Sequence, residues 1–278
     1  MLPQLLLAKR LYIEASNYAD RKDAVSGGIA ISMLQDSAEL YIWTVIKEHN
    51  LVAKDQAGFV ANMETIQKAG ISLPNSAKLL ELNKARVSFK HYGILPATNE
   101  ARKYQTYVED FLRTSILEHF KVNFDDLSLV DLVVDAGIRE QLKLAETRIK
   151  DNEIREAAEE LAKAKTLIFM RLQKFIPKVD NNLRDSDKLL NSIGGVHGAK
   201  TFNYLSEYLG VLRESCLVAI LQLPLDDYSF VRNSLPSASQ SMSGKWYLIH
   251  SRGQYTEAEC TRALASLVNL CVRLESIA

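Results

Sequence analysis

The stretch ISMLQDSAELYIWTVI, from Ile31 to Ile46, decides the fold class of this 278-residue chain. Its apolar residues recur three and four positions apart, which is the spacing of one face of an α-helix. They are Ile31, Leu34, Ala38, Tyr41, Val45 and Ile46. The chain has only six prolines and twelve glycines, so few residues interrupt a helix. The same apolar spacing recurs in the long segments between them. We therefore predict an all-α protein.

The N-terminal half contains four predicted long helices. The first two form an antiparallel hairpin, with a break at Ser26, Gly27 and Gly28 between them. The third helix follows the start signal Pro74-Asn75-Ser76, and Gly93 and Pro96 end it. The predicted spans are 5–22, from the break to about 49, 77–91 and 99–120.

The connector VNFDDLS, residues 122–128, marks a predicted boundary between domains 1–123 and 124–278. The second domain is also expected to be helical. Its predicted helices cover 129–150, 153–175, 201–223 and 256–276, and the first two of these form a hairpin. We predict a loop at 177–200 and a short hairpin or long loop at 226–253. Thr256 and Glu259 form a capping box for the last helix, which packs deep in this domain or at a subunit interface.

The charge balance, the length of the apolar stretches and the cysteine spacing limit which classes of function the chain can have. The 34 basic and 34 acidic residues balance, so nucleic acid would have to bind through a local patch rather than a global basic field. No stretch reaches the roughly 20 apolar residues of a membrane span, which predicts a soluble protein. Cys216, Cys260 and Cys271 lack the paired spacing of zinc sites and fit reduced, partly buried thiols in a cytoplasmic protein. We expect no metal and no cofactor.

The segment LNKARVSFKHYGILP, Leu82 to Pro96, carries the chemistry. Arg86 supplies a fixed cation for a phosphate, and His91 supplies an imidazole that can exchange a proton near neutral pH. Five residues on a regular helix separate two side chains by about 140°, so this pair meets only if the helix ends or frays near His91. Asn83, Ser88 and Lys90 are the expected substrate-binding residues beside the pair.

Residues Leu5 to Phe120 resemble a HEPN domain. The likeness rests on the helix order, on the second helix and on KARVSFKHYGILP, which resembles the family's segment of an arginine and a histidine with four to six residues between them. The resemblance implies a helical module that dimerises and cleaves RNA without a metal ion. Arg86 would then bind the scissile phosphate and His91 would act as general base or acid. It also implies a toxin or defence effector, with the second domain sensing, restraining or targeting the first.

Two other readings stay open. An Arg and a His at a helix end are common as simple caps, and Val87 stands where the family often has a polar residue, so the chain is alternatively an inactive HEPN-like scaffold that binds a partner protein. Glu39 is a structural partner for the basic end of the third helix. A third reading is nucleotide or small-ligand binding between the domains, at a pocket lined by His197 or Arg252.

Overall fold

The computed structural model describes residues 2–52, 58–97, 99–175, 195–249 and 254–277. Within these ranges the chain forms ten α-helices, two 3₁₀ turns and one two-stranded sheet, which confirms the predicted all-α class. No helix in these ranges is long and apolar enough to cross a membrane. The chain divides into two compact units, Met1–Leu129 and Val130–Ala278.

The N-terminal unit is built around its second helix. Its five helices are α1 (Leu2–Ala19), α2 (Ala24–Glu48), α3 (Phe59–Lys68), α4 (Ser76–Tyr92) and α5 (Glu100–Phe120). Helix α2 contacts each of the other four, and its periodic apolar residues are fully or almost fully buried. The stretch that predicts the fold class therefore forms the centre of this unit's core.

The predicted break at Ser26, Gly27 and Gly28 is wrong, because these residues lie inside α2. The helix begins earlier, where the Asp23 carboxylate accepts a hydrogen bond from the Ser26 backbone N–H at 2.8 Å. Gly28 serves close packing instead, since a Cβ there would lie 2.2 Å from Cε2 of Phe89 on α4. The glycine lets two helices approach each other.

The connector after α5 belongs to the N-terminal unit. The Lys9 ammonium on α1 donates hydrogen bonds to the backbone carbonyls of Phe124 at 2.8 Å, Asp125 at 3.1 Å and Leu127 at 2.8 Å. The Phe124 ring is buried and packs edge-to-face on Tyr12. These contacts hold residues 124–127 on the N-terminal unit, and the division after Leu129 lies six residues past the predicted boundary at residue 123.

The C-terminal unit begins with a hairpin of two helices, as predicted. Its helices are α6 (Ala136–Lys150), α7 (Ile154–Leu172), α8 (Gly195–Ile220), α9 (Leu225–Ser234) and α10 (Glu257–Ile277). Strands β1 (Ser237–Gln240) and β2 (Trp246–Ile249) pair antiparallel, with Ser237 opposite Ile249. Of the two predicted alternatives for this stretch, a short hairpin or a long loop, the structure has the hairpin.

Several predicted helix limits in this unit are wrong. Residues 129–132 form a 3₁₀ turn, and α6 starts after Asp135, whose carboxylate caps the Ile138 N–H at 2.8 Å. Helix α8 starts at Gly195, inside the predicted loop, and α9 lies almost entirely in the stretch 226–253, where a short hairpin or long loop is predicted. Cys216 is exposed rather than partly buried.

The last helix packs deep in its unit, which was one of the two predicted roles. Helix α10 contacts α6, α7 and α9 and buries both Cys260 and Cys271. The predicted capping box is confirmed, since the Glu259 N–H donates to the Thr256 hydroxyl at 3.2 Å and the Glu259 carboxylate accepts the Thr256 N–H at 3.0 Å. Next to this core the Lys165 ammonium is buried and donates to the carbonyl of Pro236 at 2.9 Å.

Candidate functional site

The candidate site lies in the N-terminal unit, where α2 and α4 face each other. Leu79 and Leu82 of α4 are fully buried, and Phe89 packs over Gly28 of α2. Residues three, four and seven apart share one face of a helix, so Arg86 projects from the same side as these apolar contacts. The packing that joins α2 to α4 thus also points Arg86 at α2.

Helix α4 stays regular across the whole predicted motif. It continues to Tyr92 and is closed by Gly93, which is left-handed with φ of 66° and donates its N–H to the Phe89 carbonyl. His91 lies in the last turn, as predicted, but the helix does not end between Arg86 and His91. Their side chains therefore leave the helix about 140° apart, and His91 is exposed while Arg86 is partly buried.

Arg86 is held loosely on α2. Its Nη2 lies 3.7 Å from Oδ1 of Asp36, and the arginine side chain keeps 19% of its surface exposed. Its Nε is buried and has no hydrogen-bond partner among the described residues. A buried guanidinium N–H without an acceptor is costly, so this donor is unsatisfied in the arrangement described.

Glu39 is a second carboxylate in the same region. Burial raises the pKa of Glu39 and the nearby Asp36 charge adds to the rise, while the Arg86 and Lys90 cations act in the opposite direction. Glu39 lies on α2, and its interactions with Arg86 and Lys90 agree with the prediction that it is a partner for the basic end of α4. The ion pair itself is formed by Asp36, which the sequence analysis does not single out.

An open cleft of about 500 Å³ adjoins these groups. Gln35 and Glu39 line it from α2, Asn83 and Arg86 line it from α4, and residues 58–61 at the start of α3 form a third wall. Gln35 is 1% exposed, and its Oε1 has no hydrogen-bond partner in the described part of the chain. The cleft therefore combines two opposite charges, two amides and the first turn of a helix.

The other predicted substrate residues divide between two sides of α4. Asn83 and Lys90 lie within about 60° of Arg86 around the helix, and Lys90 is exposed. Ser88 lies on the far side from Arg86, where its backbone carbonyl accepts the Ile94 N–H at 3.1 Å. The structure therefore groups Asn83, Arg86 and Lys90, and leaves Ser88 and His91 apart from them.

Three large apolar side chains are exposed next to His91. Tyr92, Ile94 and Leu95 keep 72%, 59% and 53% of their surface accessible. They lie within four consecutive positions at the end of α4. We call these three residues the α4 end patch.

Gln35 and Asp36 are the site residues that sequence reasoning missed. The available signal was their position among apolar residues in the stretch QDSAE, three and four residues before Glu39 on the same side of α2. A ligand pocket is also predicted at His197 or Arg252, and Arg252 and the side chain of His197 lie outside the described residues.

No family model matches the chain, and no curated protein or solved structure matches it.

Proposed function

We propose that the N-terminal unit is a HEPN-type endoribonuclease that cleaves RNA phosphodiester bonds with Arg86 and His91 and without a metal ion. The observation that carries the proposal is the state of Arg86. It lines an open cleft, is paired with Asp36 only at 3.7 Å, and has a buried Nε without a partner in the described residues. A guanidinium in this state suits a phosphate oxygen, which accepts charge-assisted hydrogen bonds.

The first turn of α3 supports phosphate binding in the same cleft. Residues 58–61 line it, and the first N–H groups of a helix have no acceptor within the helix. The N-terminus of a helix also carries partial positive charge, which favours an anion. A phosphate held by Arg86 would therefore have a second group of donors in the same cleft, at the start of α3.

His91 supplies the proton transfer in this proposal. In metal-independent cleavage the RNA 2′-oxygen attacks phosphorus as it loses its proton, and the bond to the 5′-oxygen breaks as that oxygen gains one. An exposed imidazole can serve as the base at the 2′-hydroxyl or as the acid at the leaving oxygen. His91 is exposed at the end of α4, where RNA can reach it.

Two copies of the chain complete the site. Arg86 and His91 of one chain diverge by about 140°, so one chain does not present both to one phosphate from a straight helix. We propose a homodimer in which His91 of one copy faces the Arg86 cleft of the other. The α4 end patch lies beside His91 and provides apolar surface for that contact.

The remaining parts of the proposal come from the HEPN resemblance. The protein acts in the cytoplasm as a toxin or defence effector, and the C-terminal unit restrains or targets the nuclease, alone or with a regulatory protein partner.

Incubation of the full chain with a mixed tRNA and mRNA pool in EDTA tests the nuclease. We expect cleavage by the parent and loss of cleavage in Arg86→Ala and in His91→Ala. Arg102→Ala and His49→Ala are matched controls, since both residues are exposed in the same unit, and these variants should cleave like the parent. Equal cleavage by Arg86→Ala and the parent would refute the proposed role of Arg86.

Mixing the two inactive variants tests the shared site. If His91 acts across the dimer, a mixed dimer has one intact Arg86–His91 pair, and an equimolar mixture regains about one quarter of parental activity. If both residues act within one chain, the mixture stays inactive.

The second candidate function is a scaffold that binds a partner protein. The apolar Val87 beside Arg86 and the divergence of Arg86 and His91 favour it. Absence of cleavage by the folded parent in EDTA and also with added Mg²⁺ would support this alternative.

The salt dependence of RNA binding tests whether RNA binds at one local cleft. RNA binding by a neutral chain should weaken only modestly with salt, because few phosphates are neutralised, and a steep salt dependence would contradict binding at one local cleft.

A further inference from the structure

We propose that the cleft between α2, α3 and α4 is a guanine-binding pocket that selects the nucleotide at which RNA is cut. This inference rests on the proposed ribonuclease function and adds its specificity. The residues that would bind the base are Gln35, Glu39 and Asn83. None of them belongs to the Arg86–His91 pair, although Asn83 lies three residues before Arg86.

Gln35 indicates that the cleft is built for a polar ligand. A side-chain amide that is 99% buried normally finds partners for its oxygen and nitrogen, yet Oε1 of Gln35 has none among the described residues. Gln35 lines the cleft, so a rotation of its amide that brings Oε1 to the cleft surface would let a ligand N–H satisfy this oxygen. A purely apolar ligand would leave it unpaired.

Glu39 selects among the bases. It lies four residues from Gln35 on the same side of α2 and lines the same cleft. A carboxylate accepts two parallel hydrogen bonds from the N1–H and N2–H₂ of guanine. Adenine and cytosine each present a ring acceptor beside their amino group, which the carboxylate repels, and uracil offers only one N–H. The chemistry of Glu39 therefore favours guanine.

The other walls fit the rest of a nucleotide. Phe59, Val60 and Ala61 supply apolar surface for the base, and Asn83 adds an amide on α4. Arg86 remains at the same cleft for the phosphate, three residues from Asn83. A volume of about 500 Å³ lies in the usual range for small-ligand pockets and accommodates one nucleotide.

Direct binding tests the pocket without requiring cleavage. Guanosine, adenosine, cytidine and uridine 3′-monophosphates are titrated against the full chain by calorimetry. We expect guanosine 3′-monophosphate to bind about tenfold or more tightly than the other three, and Glu39→Gln to remove this preference. Glu39→Asp should keep part of it, and Glu48→Gln, the same change at an exposed position of α2, should leave it intact.

Gln35→Met is the second variant. It keeps the length of the side chain but removes the amide, so it should weaken guanosine 3′-monophosphate while circular dichroism stays unchanged. Equal affinity for all four nucleotides in the parent, or an unchanged preference in Glu39→Gln, would overturn the inference.

Cleavage mapping separates this inference from the nuclease proposal. Cuts concentrated at guanosines in the parent and spread over all four nucleotides in Glu39→Gln would support both. Cuts without base preference would refute the guanine pocket and leave the nuclease standing. Selective guanosine 3′-monophosphate binding without any cleavage would refute the nuclease and keep the pocket.

Discussion

The contact between Gly28 and Phe89 gives the sharpest test of how the site is positioned. A Cβ at residue 28 would lie 2.2 to 2.5 Å from three atoms of the Phe89 ring, well inside van der Waals contact. Overpacking of this kind costs up to about 3 kcal/mol. Alanine is better than glycine within a helix by about 1 kcal/mol. We therefore expect Gly28→Ala to lower the free energy of unfolding by up to about 2 kcal/mol.

Gly27 is the matched control in the same turn of α2. A Cβ there would lie 3.4 Å from Cγ of Pro96 and 3.8 Å from Cβ of Ala101, which are ordinary contacts. Gly27→Ala should therefore stabilise the unit by about 1 kcal/mol, the helix preference alone. Adjacent glycines with identical substitutions should thus shift stability in opposite directions.

Urea unfolding followed by fluorescence measures both variants. The chain has two tryptophans, and in a Trp246→Phe background Trp43 of α2 reports on the N-terminal unit. Phe89→Leu, which shortens the opposing ring, should recover much of the stability lost in Gly28→Ala. Unchanged stability in Gly28→Ala, or no recovery in the double variant, would refute the argument that this glycine sets the approach of α4 to α2.

Three further predictions concern other contacts. Lys9→Met should destabilise the N-terminal unit by about 2 kcal/mol, because it removes three hydrogen bonds from a charged donor, whereas Lys68→Met at an exposed ion pair should have little effect; urea unfolding measures both. Asp135→Ala should cost the C-terminal unit about 1 to 2 kcal/mol, because it removes the cap of α6 and the ion pair with Arg171, and Asp135→Asn should cost less if the cap dominates. Burial and the Arg232 charge lower the pKa of Lys165 from 10.5 to about 8. Between these two pH values the unfolded chain holds a proton that the folded chain has released, so stability should rise with pH by up to about 3 kcal/mol relative to Lys165→Met. A parallel pH profile in parent and Lys165→Met would contradict this assignment.

Helix ends were predicted correctly where the residue that ends or caps the helix acts through contacts within one turn. Gly93 ends α4 and Thr256 caps α10 as expected, because each signal acts within one turn. Gly28 misled the prediction, because a glycine in isolation indicates a break, and its packing role depends on Phe89, which lies far along the chain. Whether such a glycine breaks a helix or lies inside one depends on which residues of other helices pack against it.

The candidate site divides in the same way. Arg86 and His91 follow from a short motif, and Glu39 from charge complementarity with α4. The position of Gln35 on the Glu39 side of α2 is visible in the sequence, but its lack of a partner for Oε1 in the described residues is not. That lack depends on burial, and burial depends on how α2 and α4 pack. A sequence shows which side chains carry chemistry, but not which of them are left unsatisfied.

The Lys9 contacts determine how the N-terminal unit should be cut from the chain. A fragment that stops at residue 123 loses all three carbonyl acceptors of the Lys9 ammonium and exposes the face of Tyr12 that Phe124 covers. A fragment that stops at Leu129 retains both. Only the longer fragment keeps the hydrogen bonds between Lys9 and its own C-terminal residues, so it is the fragment to express when the N-terminal unit is studied without the C-terminal unit.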